Sequence, residues 1–435
     1  MNVQGSFIDE SQLRQYVPEP TSTLSKASLS QKAAEAIGLL KKSQRPVLIA
    51  GHGIRLAGAI SEFAGLLEKL GVPVVSTFNG IDIIPSDHPL FIGRIGSLGD
   101  RAGNFAIQNS DFVLSIGSRN NIRQVSYNWG SFARHAVKVV VDIDSAELRK
   151  PTLKPDLPIN ADARDFIREL GSQLDKGGHL SYAKWVGWCL ERRRRYPVVL
   201  PEYRQLKKLV NPYCFIEELT SQLPEGATLV AANGTACVAM FQAGIVKRNQ
   251  RMFWNSGCAA MGYDLPAAIG ASFARNKGEV VCLAGDGSLQ LNMQELETVV
   301  YHDLPIKLFV LNNGGYISIK QTQDSFFGGH YVACDSSSGI GFPDFRKVAS
   351  AYGFKTELID KQAGMSEKIR WVLEERMPIL CEVKLLTDYK FMPKLSSEKK
   401  QDGRIISKPL EDMYPFLERK EFKENMLVPE WTPEK

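Results

Sequence analysis

The sequence predicts an α/β protein made of two doubly wound, mainly parallel-sheet domains followed by a C-terminal tail. Short apolar bursts alternate with helical stretches, the alternation runs through the chain twice, and it dissolves into charges and prolines after Leu385. With 435 residues, 44% of them hydrophobic, the chain has enough apolar material for two ordinary cores.

In the first half the bursts are Pro46–Ala50, Val72–Thr77, Phe112–Ile116 and Lys138–Asp142. Each has the length of a strand buried on both faces, as strands of parallel sheets are. Between the first two, Ala57–Leu70 repeats its apolar residues at helical spacing. The polar, aromatic and basic stretch from Gly171 to Gln205 reads as a helix and linker crossing between domains, its end marked by Pro197 and Pro201. The second half supplies Thr228–Ala232, Arg251–Trp254, Glu279–Ala284, Ile306–Leu311 and Ile379–Val383, with a helix over Leu291–His302. The expected division is 1–180, 181–395 and a tail over 396–435, either an ordered lid or a partly disordered segment.

Composition removes several function classes. The net charge is only +5, and the one dense basic run, Arg192–Arg195, stands beside Glu191, so it reads as a solvated helix end and not as a nucleic-acid footprint. The seven cysteines are odd in number and scattered, and some lie inside apolar runs, as Cys282 does in Val280–Leu283. They read as buried thiols of a reducing cytoplasm, with neither a zinc site nor a disulfide frame. The first ten residues lack the order of a signal peptide, and no apolar run reaches the roughly 18 residues of a membrane span. The expected location is cytoplasmic, with neither membrane nor nucleic acid as partner.

The chemistry concentrates where two strands end. Val280–Ala284 runs into Gly285-Asp286-Gly287-Ser288, and Ile306–Leu311 runs into Asn312-Asn313-Gly314-Gly315. Asp286 and Asn313 stand 27 positions apart, the length of a strand, a crossover helix and a second strand. Both therefore emerge at the carboxyl ends of parallel strands, where open α/β sheets bind ligands. Gly285 and Gly287 allow close backbone approach, and the helix that follows turns its free N–H groups toward an anion. A carboxylate and an amide oxygen are hard ligands suited to Mg2+, which keeps phosphate oxygens in its other positions. A Gly-Asp-Gly turn alone is also a common tight turn. The paired asparagines, for which the sequence shows no packing role, tip the reading toward a metal-bridged diphosphate site.

Gly285-Asp286-Gly287 followed by Asn312-Asn313 resembles the motif of the thiamine diphosphate-dependent enzymes. Met261–Gly270 and Gln294-Glu295-Leu296 resemble their acetolactate synthase branch. The resemblance implies a central domain, a thiamine diphosphate-binding domain and a set of roles. Asp286 and Asn313 would hold Mg2+ by their side chains and Gly315 by its carbonyl oxygen. Gly285, Gly287 and Ser288 would form the diphosphate turn. Gly234-Thr235-Ala236 match the second diphosphate loop, although the family often has Gln-His in place of Thr-Ala. Met261 matches the residue that wedges the cofactor's two rings into a V, the alternative being a core methionine. The backbone of Ala259 would receive the aminopyrimidine.

The resemblance further implies a glutamate that activates the cofactor, carried by a pyrimidine-binding domain of a neighbouring subunit. Asn2–Gly5 resemble the end of that domain's last strand, so no catalytic residue is assigned within this chain. The expected partner is a pyrimidine-domain subunit or a full-length homologue, in a homo- or hetero-oligomer. In the turn Gly117–Arg123, Arg119 and Arg123 match arginines that contact FAD and a substrate carboxylate, while Asn121 and Ile122 replace aspartates. Arg123 is thus a candidate ligand for a 2-oxo acid, with a surface salt bridge as the alternative. FAD stays open, because Gly51–Gly58 misses the spacing of a dinucleotide fingerprint. Ser318 and Thr322 stand where acetolactate synthases place methionine and tryptophan, which implies an acceptor larger and more hydroxylated than pyruvate, such as a keto sugar. The expected function is a decarboxylating carboligase. The alternatives are a catalytically silent cofactor-binding or assembly subunit, and a truncated product of a longer enzyme.

Overall fold

Strands buried on both faces pair in parallel in two separate sheets. The computed structural model describes residues 5–17, 23–177, 180–399 and 405–432, so Asn2 to Gln4 lie outside the described residues. The first sheet contains β1 (Pro46–Ala50), β2 (Val74–Ser76), β3 (Phe91–Arg94), β4 (Phe112–Ile116), β5 (Val137–Asp142) and β6 (Leu157–Asn160). Their order is β3-β2-β1-β4-β5-β6, and every neighbouring pair is parallel. The second contains β7 (Thr228–Ala231), β8 (Arg251–Trp254), β9 (Val280–Gly285), β10 (Ile306–Asn312), β11 (Lys355–Ile359) and β12 (Ile379–Lys384). Its order is β11-β12-β10-β9-β7-β8, again all parallel. Helices cover both faces of each sheet, as the two apolar clusters packed on either side require.

In the two six-stranded sheets three strands escaped the sequence reading, β3, β6 and β11, all at sheet edges, and so did an antiparallel pair in the tail, Ser397–Lys399 with Ile405–Ser407. Two helices also differ from expectation. The helix expected over Ala57–Leu70 begins only at Ile60 (Ile60–Leu70), because Gly58 at φ +63° separates it from a short helix before it, Gly53–Leu56. The one expected over Leu291–His302 covers only Glu295–Tyr301, and a separate short helix, Asp286–Gln290, precedes it. The break frees the Asn292 amide to donate to Gly262 O at 2.6 Å.

The two sheets are held by buried polar contacts. Arg94, at the end of β3, donates to Gln242 O in the last turn of the helix Thr235–Ala243 and to Gly244 O just beyond it. Asp82 accepts from Arg55 in its own half and from Arg251 and the Met252 N–H of β8 in the other. The helix Ala183–Arg195 packs on the first sheet, where Trp185 donates to Pro46 O and Arg193 to Phe91 O and Ser86 O. The described part of the tail returns to the same sheet: Leu410 and Met413 are fully buried, and Glu411 meets Gln108 and Arg134.

Candidate functional site

β9 and β10 are neighbours with Leu311 opposite Gly285, so the turns that follow them emerge side by side. Asp286 fills the gap between them. Its Oδ2 accepts from the backbone N–H of Asn313 (3.1 Å), Gly314 (2.9 Å) and Gly315 (3.1 Å), and its Oδ1 from that of Gly287 (2.7 Å). Gly314, at φ +75°, lets the backbone curl around the carboxylate. Burial pushes the Asp286 carboxyl up to about 6, against the four N–H groups that favour its charge. A cation beside it would remove that penalty. Gly287 is required at its position, because a Cβ there would fall 2.0 Å from the Tyr316 ring.

The facing wall comes from the end of β7. Gly234, at φ +59°, starts the helix Thr235–Ala243, and the Thr235 hydroxyl accepts from Asn313 Nδ2 at 3.3 Å. Ala236 turns its side chain into the core, so only its backbone faces this turn. Ser288 Oγ accepts from Gly262 N at 2.9 Å and ties the Gly285–Ser288 turn to the loop carrying Met261. Met261 is half-buried in that loop, ahead of the helix Asp264–Ala274, and lines the cleft. Ala259 has φ +50°, and its carbonyl accepts from Asn233 at 2.7 Å.

These residues enclose a cleft of about 400 Å3 bounded by Asn233, Thr235, Met261, Asp286, Asn313 and Ser318. Its size and its hard oxygen donors fit a diphosphate cofactor with one Mg2+. A second cavity of about 780 Å3 lies at the carboxyl ends of β1 and β4, where the strand order of the first sheet reverses. Phe78, Arg123 and Ser256 line both. Arg123 rests over the Phe78 ring, 5.2 Å from its centre, whereas Arg119 pairs with Glu147 at 2.7 Å. Of the two acceptor-side candidates, Ser318 lines the cleft. Thr322 does not: one helical turn on, it donates back to Ser318 O at 3.0 Å.

Two roles were missed in the sequence. Asn312 does have a packing role, because its amide donates to Glu382 Oε1 at 2.7 Å and its Oδ1 accepts from Gly314 N. Tyr389 reaches Thr235 from the segment after β12. The usable signal for it was position, since that segment leaves the carboxyl end of a parallel strand, where the cleft must be.

Two family descriptions match the chain: "Thiamine pyrophosphate enzyme, central domain" over residues 33–170, and "Thiamine pyrophosphate enzyme, C-terminal TPP binding domain" over 232–383. The chain is 30% identical to the acetolactate synthase large subunit of Cyanidium caldarium over 366 residues, covering 83% of this chain and 61% of that protein. It is 31% identical to the acetolactate synthase of Arthrospira platensis, covering 81% and 61%. It is 29% identical to the large subunit of Lactococcus lactis, covering 88% and 64%. The chain thus spans about three fifths of the length of these relatives.

Proposed function

The chain belongs to the thiamine pyrophosphate-dependent enzymes, and from that premise we propose that it is the cofactor- and metal-holding part of an acetolactate synthase-like carboligase. The reaction would decarboxylate a 2-oxo acid such as pyruvate and transfer the two-carbon unit to a carbonyl acceptor. The observation that carries this reading is the Asp286 carboxylate, fixed by four backbone N–H groups beside Asn313 and Gly315. Asp286, Asn313 and the Gly315 carbonyl would hold Mg2+, and Gly234, Thr235, Gly287 and Ser288 would receive the diphosphate. Bound thiamine diphosphate supplies an electron sink for cleaving the bond to the carboxylate carbon. The protein's share is to position it: Met261 supports the rings, Ala259 meets the aminopyrimidine and Arg123 receives a substrate carboxylate.

Ser318 on the cleft wall, small and polar, supports an acceptor larger and more hydroxylated than pyruvate. The adjoining cavity that shares Arg123 gives such an acceptor, or FAD, room beside the cofactor. Activation would come from a glutamate on a pyrimidine-binding domain, reached in an oligomer with a partner subunit or a full-length homologue. The free cysteines, six buried and Cys258 exposed, support a reducing, cytoplasmic setting. No helix of the described residues is long and apolar enough to cross a membrane.

Calorimetric titration with thiamine diphosphate and Mg2+ tests the assignment. Wild type should bind only with the metal present, and Asp286→Ala should lose that binding. Equal binding by the variant would refute the site.

A further inference from the structure

Tyr389 joins the two turns that build the cleft. Its hydroxyl meets Thr235 Oγ1, and the same oxygen accepts from Asn313 Nδ2 at 3.3 Å. Three distant stretches of chain therefore converge on one hydroxyl: the turn after β7, the turn after β10 and the segment after β12. The tyrosine does not wander, because Gln321 donates to Tyr389 O at 2.9 Å and the following backbone is tied by Met392 N to the buried Tyr213 hydroxyl at 2.9 Å.

A threonine hydroxyl has one proton and two lone pairs. The amide of Asn313 occupies one lone pair. If the Tyr389 phenol donates to the second, the threonine's own proton is left over for the cleft. Thr235 is also the first residue of the helix Thr235–Ala243, whose free N–H groups favour an anion in that direction. The opposite polarity, with Thr235 donating to the phenol, would turn a lone pair toward that anion. A phenol keeps its proton at neutral pH, so it is suited to be the terminal donor. The same chain of bonds fixes the Asn313 amide. With Nδ2 committed to Thr235, Oδ1 faces the other way, where it accepts from Gly315 N at 3.2 Å beside the Asp286 carboxylate.

We propose that Tyr389 is a positioning residue: by donating to Thr235 it aims the threonine proton at the diphosphate and keeps the Asn313 amide oxygen turned to the metal. This rests on the site assignment above and names a residue outside both sequence motifs.

The test is calorimetric titration of the full chain with thiamine diphosphate and Mg2+, comparing wild type with Tyr389→Phe, Thr235→Val, Thr235→Ser and the Tyr389→Phe/Thr235→Val pair. Tyr389→Phe should weaken binding about 5- to 20-fold and raise the Mg2+ concentration needed for half-saturation. Thr235→Val should weaken it at least as much, and Thr235→Ser should stay near wild type. The pair should bind no more weakly than Thr235→Val alone, because without the hydroxyl the phenol has nothing to orient. A merely structural tyrosine would instead lower the melting temperature of the cofactor-free chain and add its loss in the pair. Wild-type affinity in Tyr389→Phe, or losses that multiply in the pair, would overturn the proposal. Asp286→Ala separates the two levels. If it binds like wild type, the site assignment fails; if it loses binding while Tyr389→Phe does not, the site stands and the role of Tyr389 falls.

Discussion

Asp264 shows how one residue can answer to two demands. It begins the helix Asp264–Ala274 with no exposed surface; its Oδ1 accepts from Leu265 N, and the Ser288 side chain and the backbone only partly offset the burial of its charge. Burial therefore pushes its carboxyl up to about 6. Below about pH 4 the group is protonated in both the folded and the unfolded chain, and burial involves no charge. Above about pH 6 the folded state holds an ionised carboxylate that water would solvate better, so stability falls as the pH rises through this window. We expect Asp264→Asn to gain on wild type by up to about 3 kcal/mol between pH 4 and pH 7, read from urea midpoints. A difference that stays flat with pH would contradict this. At this scale the sequence already placed Asp286, Gly287 and Asn313 just past the ends of two neighbouring parallel strands, where the structure has them. Tyr389 was not legible, because its role depends on a contact 154 positions away that no local pattern encodes.

Among elements, the central strands were legible and most edge strands were not, for a physical reason. β1, β4, β9, β10 and β12 are buried on both faces and so read as mainly apolar runs, interrupted inside by Ser115, Lys307 and Glu382 alone. β11 is half-exposed and reads Lys-Thr-Glu-Leu-Ile, and β6 carries Pro158, which an edge tolerates because one side of its backbone is unpaired. Side chains also tie the strands together. Asn312 at the end of β10 binds Glu382 of β12, which in turn pairs with Lys384 at 2.6 Å and lies 3.4 Å from Arg346. Asn312→Ala should cost about 1 to 3 kcal/mol by leaving Glu382 without its neutral donor. It should also weaken Mg2+-dependent cofactor binding, since the loop that holds Asp286 begins there. Denaturation and titration of the same variant check both, and a loss in neither would remove the tether.

Over the whole molecule, the cleft keeps its shape because the halves are bolted together behind it. Arg94 closes the carboxyl end of the helix whose amino end is Thr235, so a contact from the first sheet holds the helix that faces the cleft. The chain should accordingly melt in a single transition, and two resolved transitions would refute this coupling. The tail adds a strap across the first sheet, where Leu410 joins the apolar cluster on one of its faces. Arg101 donates to Met413 O and Pro415 O, Asn109 to Asn425 O, and Glu411 joins Gln108 to Arg134. Glu411→Ala should cost about 3 kcal/mol by leaving buried donors unpaired, while cofactor affinity stays unchanged. Calorimetric scanning and titration together check this, and an unshifted melting temperature would contradict it. The sequence offered an ordered lid or partial disorder for this tail. The described residues instead form a strap on the first sheet, with polar spacing that hid its buried anchors, Leu410, Met413 and Phe422.

That strap also sets an order of events during synthesis. Gln108 and Glu411 are 303 positions apart, so at about 5–20 residues per second the helix Arg101–Gln108 waits roughly 15 to 60 seconds on the ribosome for the partners that cover it. Throughout that interval Arg101 lacks its carbonyl partners, and Gln108 keeps only those of its own half, Ser131 O and Ala133 N. The half that is translated first is therefore finished late, and a ribosome stalled within the second half would display a helix on the first that still lacks the tail's contacts.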